Sequence, residues 1–139
     1  HISKMEFLKY KKNYYLLNKL IKLIETKKDV LKDKLLNKEI YIYGLGNVAK
    51  LLIKYFQDHN VEVVSIIQKR KECDQYHDID VIEISDLSKS TRDSLIIVTP
   101  SYDFNQICDE LRRHTEAQII SVEYLLGLCI QNHFVQDDE

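Results

Sequence analysis

Proline occurs once in the 139 residues, at Pro100, and glycine only three times. Neither occurs in residues 3–37, so no glycine or proline breaks a helix there. No apolar run approaches the roughly 18 residues of a membrane span, which excludes a spanning helix. No charged-then-apolar leader ending in small residues opens the chain, so no signal for secretion is read. The three cysteines (Cys73, Cys108 and Cys129) are odd in number, widely spaced and free of any Cys-x-x-Cys. They read as reduced thiols of a cytoplasmic protein. Arginine is missing from residues 1–38, which removes the bidentate phosphate and guanine contacts of a nucleic-acid binder. The chain opens on His1 rather than Met, as a piece of a longer protein would.

What is present is divided sharply by charge. Residues 1–38 hold eleven lysines against Glu6, Glu25, Asp29 and Asp33, a net +7, while the remainder holds nine basic and eighteen acidic residues, a net −9. The two parts are expected to do different jobs. In the first, Phe7, Tyr10, Tyr14, Leu17, Ile21, Ile24, Leu31 and Leu35 recur in steps of three and four, interrupted at Lys28. Beside them runs a second stripe, Leu16, Leu20, Leu23 and Val30. Thr26 and Asp29 resemble a capping box, which predicts a long helix ending near Glu25 and a shorter one beginning near Lys27.

From Glu39 the period changes. Glu39–Tyr43 reads as a strand ending at a glycine turn, and Asn47–His59 as a helix with Val48, Leu51, Leu52, Tyr55 and Phe56 inward. Val61–Ile67 reads as a second strand, 68–79 as polar and irregular, and Val81–Ile84 as a third strand before a one-turn helix near Ser85–Lys89. Ser94–Thr99 has the unbroken apolar character of a central strand. Asp103–His114 reads as a helix with Phe104, Ile107, Cys108 and Leu111 inward. Gln118–Val122 reads as a fifth strand and Val122–Ile130 as a closing helix. Alternating strands and helices imply a three-layer α/β Rossmann-like domain with a five-stranded parallel sheet in the order 3-2-1-4-5, preceded by an N-terminal helical hairpin or long helix. The divisions are a lysine-rich helical segment over 1–38, the nucleotide-binding domain over 39–131 and an acidic tail over 132–139, with Gln136–Glu139 expected to be disordered.

Three features converge on the carboxyl edge of that sheet. Gly44-Leu45-Gly46-Asn47-Val48-Ala49 matches the dinucleotide fingerprint, the first glycine for the tight turn, the second for close approach of a pyrophosphate, and Ala49 for helix packing. Amides at the start of the following helix favour an anion. The turn is also compatible with a purely structural role. At the end of the second strand stand Gln68, Lys69 and Arg70, where an NAD site has an acid. A ribose phosphate, as in NADP or a coenzyme-A-like nucleotide, suits them better than NAD, and a solvated basic loop is the alternative. Thr99, Pro100, Ser101 and Tyr102 end the fourth strand. Thr99 and Ser101 are placed to bond a sugar or phosphate and Tyr102 to stack on a ring, unless Ser101 or Asp103 merely caps the next helix.

The segments IYIYGLGNVAKLLIKYF, SDL, IIVTPSYDFNQICDELRR and IISVEYLL resemble the small Rossmann-like domain of bacterial surface-polysaccharide proteins. They are similar to the nucleotide-binding domain of polysaccharide-biosynthesis epimerase/dehydratases and to the amino-terminal domain of sugar O-acyltransferases. The resemblance spans about residues 39–127 and leaves the lysine-rich helices outside. It implies a nucleotide or nucleotide-sugar ligand near Gly44, Gly46 and Asn47. Gln68 and Lys69 stand where such proteins often carry acids.

Other chemistry is weaker. Tyr15-x-x-x-Lys19 has the spacing of a short-chain dehydrogenase pair but precedes the nucleotide turn instead of following it. Cys73 and His77, with Asp74 and Asp78, fall short of a structural zinc set. His59 reads as a helix cap. Catalysis by this chain alone is not expected. The leading expectation is a nucleotide-binding accessory domain in sugar-nucleotide or cell-surface polysaccharide metabolism. The rivals are an interaction module that forms a homodimer, or joins a larger polypeptide, through residues 3–37, and a small NAD(P)-dependent oxidoreductase or epimerase fragment.

Overall fold

The first helix starts by mutual capping. Ser3 Oγ accepts the Glu6 amide at 3.1 Å, and Glu6 Oε1 accepts the Ser3 amide at 3.2 Å. This reciprocal pair satisfies two of the donors that a helix N-terminus leaves open. The computed structural model describes residues 3–26, 35, 37–87, 93–100 and 102–133. In it α1 runs from Lys4 to Thr26. The expected second helix from Lys27, the Thr26–Asp29 cap and the tail beyond His133 lie outside the described residues.

Beyond α1 come β1 (Glu39–Tyr43), α2 (Asn47–Asp58), β2 (Val63–Gln68), β3 (Gln75–Tyr76) and β4 (Ile79–Glu83). A 3-10 turn (Ile84–Asp86), β5 (Ser94–Val98), α3 (Phe104–Arg112), β6 (Gln118–Ser121) and α4 (Val122–His133) complete the order. The strands form one mixed sheet ordered β3-β4-β2-β1-β5-β6. It has six strands rather than the expected five. The additional strand is β3, which pairs antiparallel with β4, whereas the other neighbours are parallel. The segment expected to be irregular therefore contains a hairpin. His77 and Asp78 turn it, both at positive φ (49° and 66°), as a two-residue primed turn requires.

Successive side chains point to opposite faces of a strand, and this sheet is buried on both. Ile40, Ile42, Leu95 and Ile97 pack with Leu52, Phe56, Val122 and Leu125, so α2 and α4 cover one face. Tyr43, Ile96 and Val98 pack with Leu111 of α3 and with Ile84 and Leu87 on the other. A shift of register pairs Ile40 with Val63 but Tyr41 with Ser65. That bulge resets the alternation, so Val63 and Ile66 both join the α2 side, while Val64 stays exposed.

The α1 helix lies against α2 and α4. Leu16 and Leu20 are buried in the same cluster as α2, with Leu17 and Leu23 packed at its margin. The second stripe is therefore the inner one, and Phe7, Tyr10, Tyr14 and Ile21 of the first remain exposed. Lys12 pairs with Glu123 of α4 at 2.9 Å, but that pair is half exposed and weak beside leucine burial. Leu20→Ala should lower the unfolding free energy by about 2–5 kcal/mol, whereas Tyr14→Ala, at a residue 68% exposed, should change it by less than about 0.5 kcal/mol. Urea denaturation measures both, and equal effects would show that α1 does not lie on the domain in this way.

Candidate functional site

Strand β1 runs straight into the turn that makes the site. Gly44 donates its amide to Ile67 O at 2.9 Å and takes a φ of +99°, a torsion that side chains rarely tolerate. A Cβ there would lie 2.6 Å from Thr99 Oγ1. Tyr43 O, immediately before the turn, accepts both the Thr99 amide at 3.0 Å and the Thr99 hydroxyl at 2.7 Å. The Thr99 proton is thus spent on the backbone, leaving that oxygen only its lone pairs for a ligand.

Gly46 is different. Its φ of −86° and ψ of −165° suit any residue, and a Cβ added there would meet nothing within 4 Å. It is also the N-cap of α2, and no side chain caps that helix. Its first-turn amides consequently face the turn without the usual Ser, Thr or Asp oxygen.

The space in front of these residues is a cavity of about 340 Å³. Nine of the expected residues line it together: Gly44, Leu45, Gly46, Asn47, Val48, Gln68, Thr99, Pro100 and Tyr102, with Ala49 beside them. Ser101 lies outside the described residues. Lys69 and Arg70 are exposed and not part of the lining. Two residues the sequence reading did not single out complete it, Asn13 from α1 and Glu72.

Glu72 is held there by a reciprocal clip. Gln68 Nε2 donates to Glu72 Oε1 at 3.2 Å, and the Glu72 amide donates to Gln68 Oε1 at 3.0 Å. The end of β2 thus presents a carboxylate to the cavity after all, four residues later than the strand end. Beyond it, Lys71 is engaged elsewhere, 3.1 Å from Asp74, and the hydrogen bond to Asp74 raises its pKa. Lys9 of α1 sits 4.1 Å above the ring of the lining residue Tyr102, occupying one face of the ring expected to stack on a ligand. Across the sheet, burial and then the charge of Glu110 raise the pKa of the Tyr43 phenol, which keeps it neutral.

The weaker candidates resolve into local roles. His59 Nδ1 donates to Tyr55 O at 2.9 Å, and its ring stacks on Tyr55, the helix-cap role expected of it. Cys73 is exposed, and among the described residues no three His, Cys, Asp or Glu side chains are grouped to hold a metal. Lys19 lies over the Tyr15 ring on α1, away from the cavity lining. Asp103 stands at the start of α3 with a positive φ and makes no side-chain cap. Among the described residues no helix is long and apolar enough to cross a membrane.

Residues 36–120 match the family model described as C2185-like, N-terminal. The chain belongs to this family. Neither the curated proteins nor the solved structures include a match to it. The matched C2185-like span runs from just before β1 into β6 and holds every cavity residue except Asn13. Helix α1 is thus an addition to the matched span that reaches its cavity.

The two glycines separate fold from binding. Gly44→Ala should destabilise by about 1–3 kcal/mol through its positive φ, with the Thr99 clash added. Gly46→Ala should lower the unfolding free energy by no more than about 1 kcal/mol, the cost of a poorer N-cap. A large loss at Gly46 would show that this glycine serves the fold.

Proposed function

We propose that the chain is a nucleotide-binding accessory domain of Rossmann type, holding a diphosphate at the start of α2 and a ribose diol at Glu72. Gly46 carries this reading. Beyond the preference of an N-cap for a small residue, neither its torsions nor its neighbours call for a glycine, and the space a side chain would fill is the cavity in front of an uncapped helix. A ligand approaching the backbone closely accounts for that combination. An anion there would meet the orphan amides and the positive end of the helix dipole. The five parallel strands run β4-β2-β1-β5-β6, so the order reverses between β1 and β5 and the cavity sits at that crevice, where open α/β sheets bind ligands.

Glu72 decides between nucleotides. A carboxylate accepts hydrogen bonds from two ribose hydroxyls but repels a ribose phosphate. NAD or a nucleoside-diphosphate sugar therefore fits better than NADP, and coenzyme A, whose ribose is also phosphorylated, fits no better. Lys69 and Arg70, outside the lining, supply general attraction for anions. The setting in sugar-nucleotide or cell-surface polysaccharide metabolism rests on the sequence resemblance. Catalysis is assigned to no residue.

Calorimetric titration with NAD, NADP and UDP-glucose tests the reading. NAD or UDP-glucose should bind, Gly46→Val should abolish binding while costing no more than the roughly 1 kcal/mol of a poorer N-cap, and Glu72→Ala should weaken it roughly ten- to a hundredfold. Binding that survives Gly46→Val would place the ligand elsewhere, and a preference for NADP that persists in wild type would remove Glu72 from the ribose.

A second reading, an interaction module, draws support from the exposed stripe on α1. Phe7, Tyr10, Tyr14 and Ile21 keep the three-four spacing of a helical seam, and between 41% and 68% of each stays exposed. A second copy is the partner this favours, its acidic body complementing the lysines that flank the stripe. Sedimentation should show a dimer at micromolar concentration that Tyr14→Lys with Ile21→Lys dissociates, and a wild-type monomer would leave the stripe unexplained by self-association.

A further inference from the structure

Helix α1 lies outside the matched family span yet closes one side of the cavity. Asn13 lines the cavity, and Lys9 stands one turn earlier on the same face of the helix. Lys9 Nζ lies 4.1 Å over the ring of Tyr102, itself a lining residue, so among the described residues the ammonium is held at the rim by a ring. Glu72 follows β2, which lies on the other side of β1 from β5, whose end carries Tyr102. The two sides therefore differ in sign, with the uncapped start of α2 between them.

We propose that α1 is part of the ligand site, and that Lys9, steered by Tyr102 and flanked by Asn13, binds the distal phosphate of a nucleoside diphosphate whose proximal phosphate rests on the α2 amides. This rests on the glycine-turn reading above and adds what that reading does not contain, a cationic contact from an element outside the matched domain. A cation–π contact leaves the ammonium its three N–H donors. A phosphate oxygen outcompetes the ring because it carries full charge. The direction of the ligand follows, with ribose toward Glu72 and the distal phosphate and any group attached to it beneath α1. Lys9 is a binding residue in this account, and Tyr102 positions it.

Comparing AMP with ADP isolates the second phosphate. Wild type should bind ADP more tightly than AMP by roughly three- to tenfold at low salt. Lys9→Ala should erase most of that preference, weakening ADP much more than AMP, and Lys9→Arg should restore it. Tyr102→Ala, which removes the ring that steers Lys9, should reduce the ADP preference, and Tyr102→Phe, which keeps the ring, should restore it. Gly46→Val separates the two levels of the claim. Loss of both ligands in Gly46→Val with an unaltered ADP preference in Lys9→Ala overturns the role of α1 and leaves the glycine-turn site standing. Survival of ADP binding in Gly46→Val overturns the site itself, and so does absence of binding by AMP and ADP at millimolar concentration in wild type, the role of α1 falling with it.

Discussion

The junction of β1 with α2 depends on one torsion. Gly44 at φ +99° turns the chain out of the sheet while its amide still bonds Ile67 O and the preceding carbonyl still holds Thr99. Strands β2 and β5 are thereby fastened to β1 on either side at the place where the chain leaves it. A side chain at 44 would strike Thr99 Oγ1 and Pro100, so the close approach of those strand ends requires the glycine as much as the turn does. The start of α2 is positioned by the same constraint, and with it the uncapped amides that face the cavity. Fold and candidate site therefore share one cause at Gly44 and part at Gly46, where the fold asks only for a tolerable N-cap.

Around that junction the lining residues come from four places: the turn, the end of β2 with its Gln68–Glu72 clip, the end of β5, and α1. The hydrogen-bonding character of each narrows what the cavity suits. Thr99 has no proton to offer, Glu72 only accepts, and the α2 amides only donate. A ligand with anionic oxygens in the middle and a diol at one end satisfies all three. Lys9 adds a cationic side toward Tyr102, which gives the cavity a direction.

Much of this could be read from the residues, because the sequence changes its period abruptly at Glu39 and marks the turn with glycines. The continuous apolar run Ser94–Val98 announced a strand covered on both faces, and all five of its residues are buried. The hairpin of β3 and β4 was hidden because its turn uses His77 and Asp78 where Asn-Gly would have signalled it. The inner face of α1 was hidden for another reason. Both of its stripes are apolar, so periodicity identifies a helix without telling which stripe meets the body, and it is Leu16 and Leu20 that pack with α2. Glu72 was illegible because a strand-end rule counts residues along an extended chain. The Gln68 clip folds the following loop back and delivers a carboxylate from four residues on.

The amide resonances of Gly46, Asn47, Val48 and Ala49 offer the most direct test of the central claim. In a two-dimensional nitrogen–proton spectrum titrated with ADP, this account predicts that these four shift first and furthest, with Gly44 smaller and Val64 unmoved. A spectrum that stays unchanged, or one whose largest shifts fall on the outer face of α1 around Tyr10 and Tyr14, would contradict it.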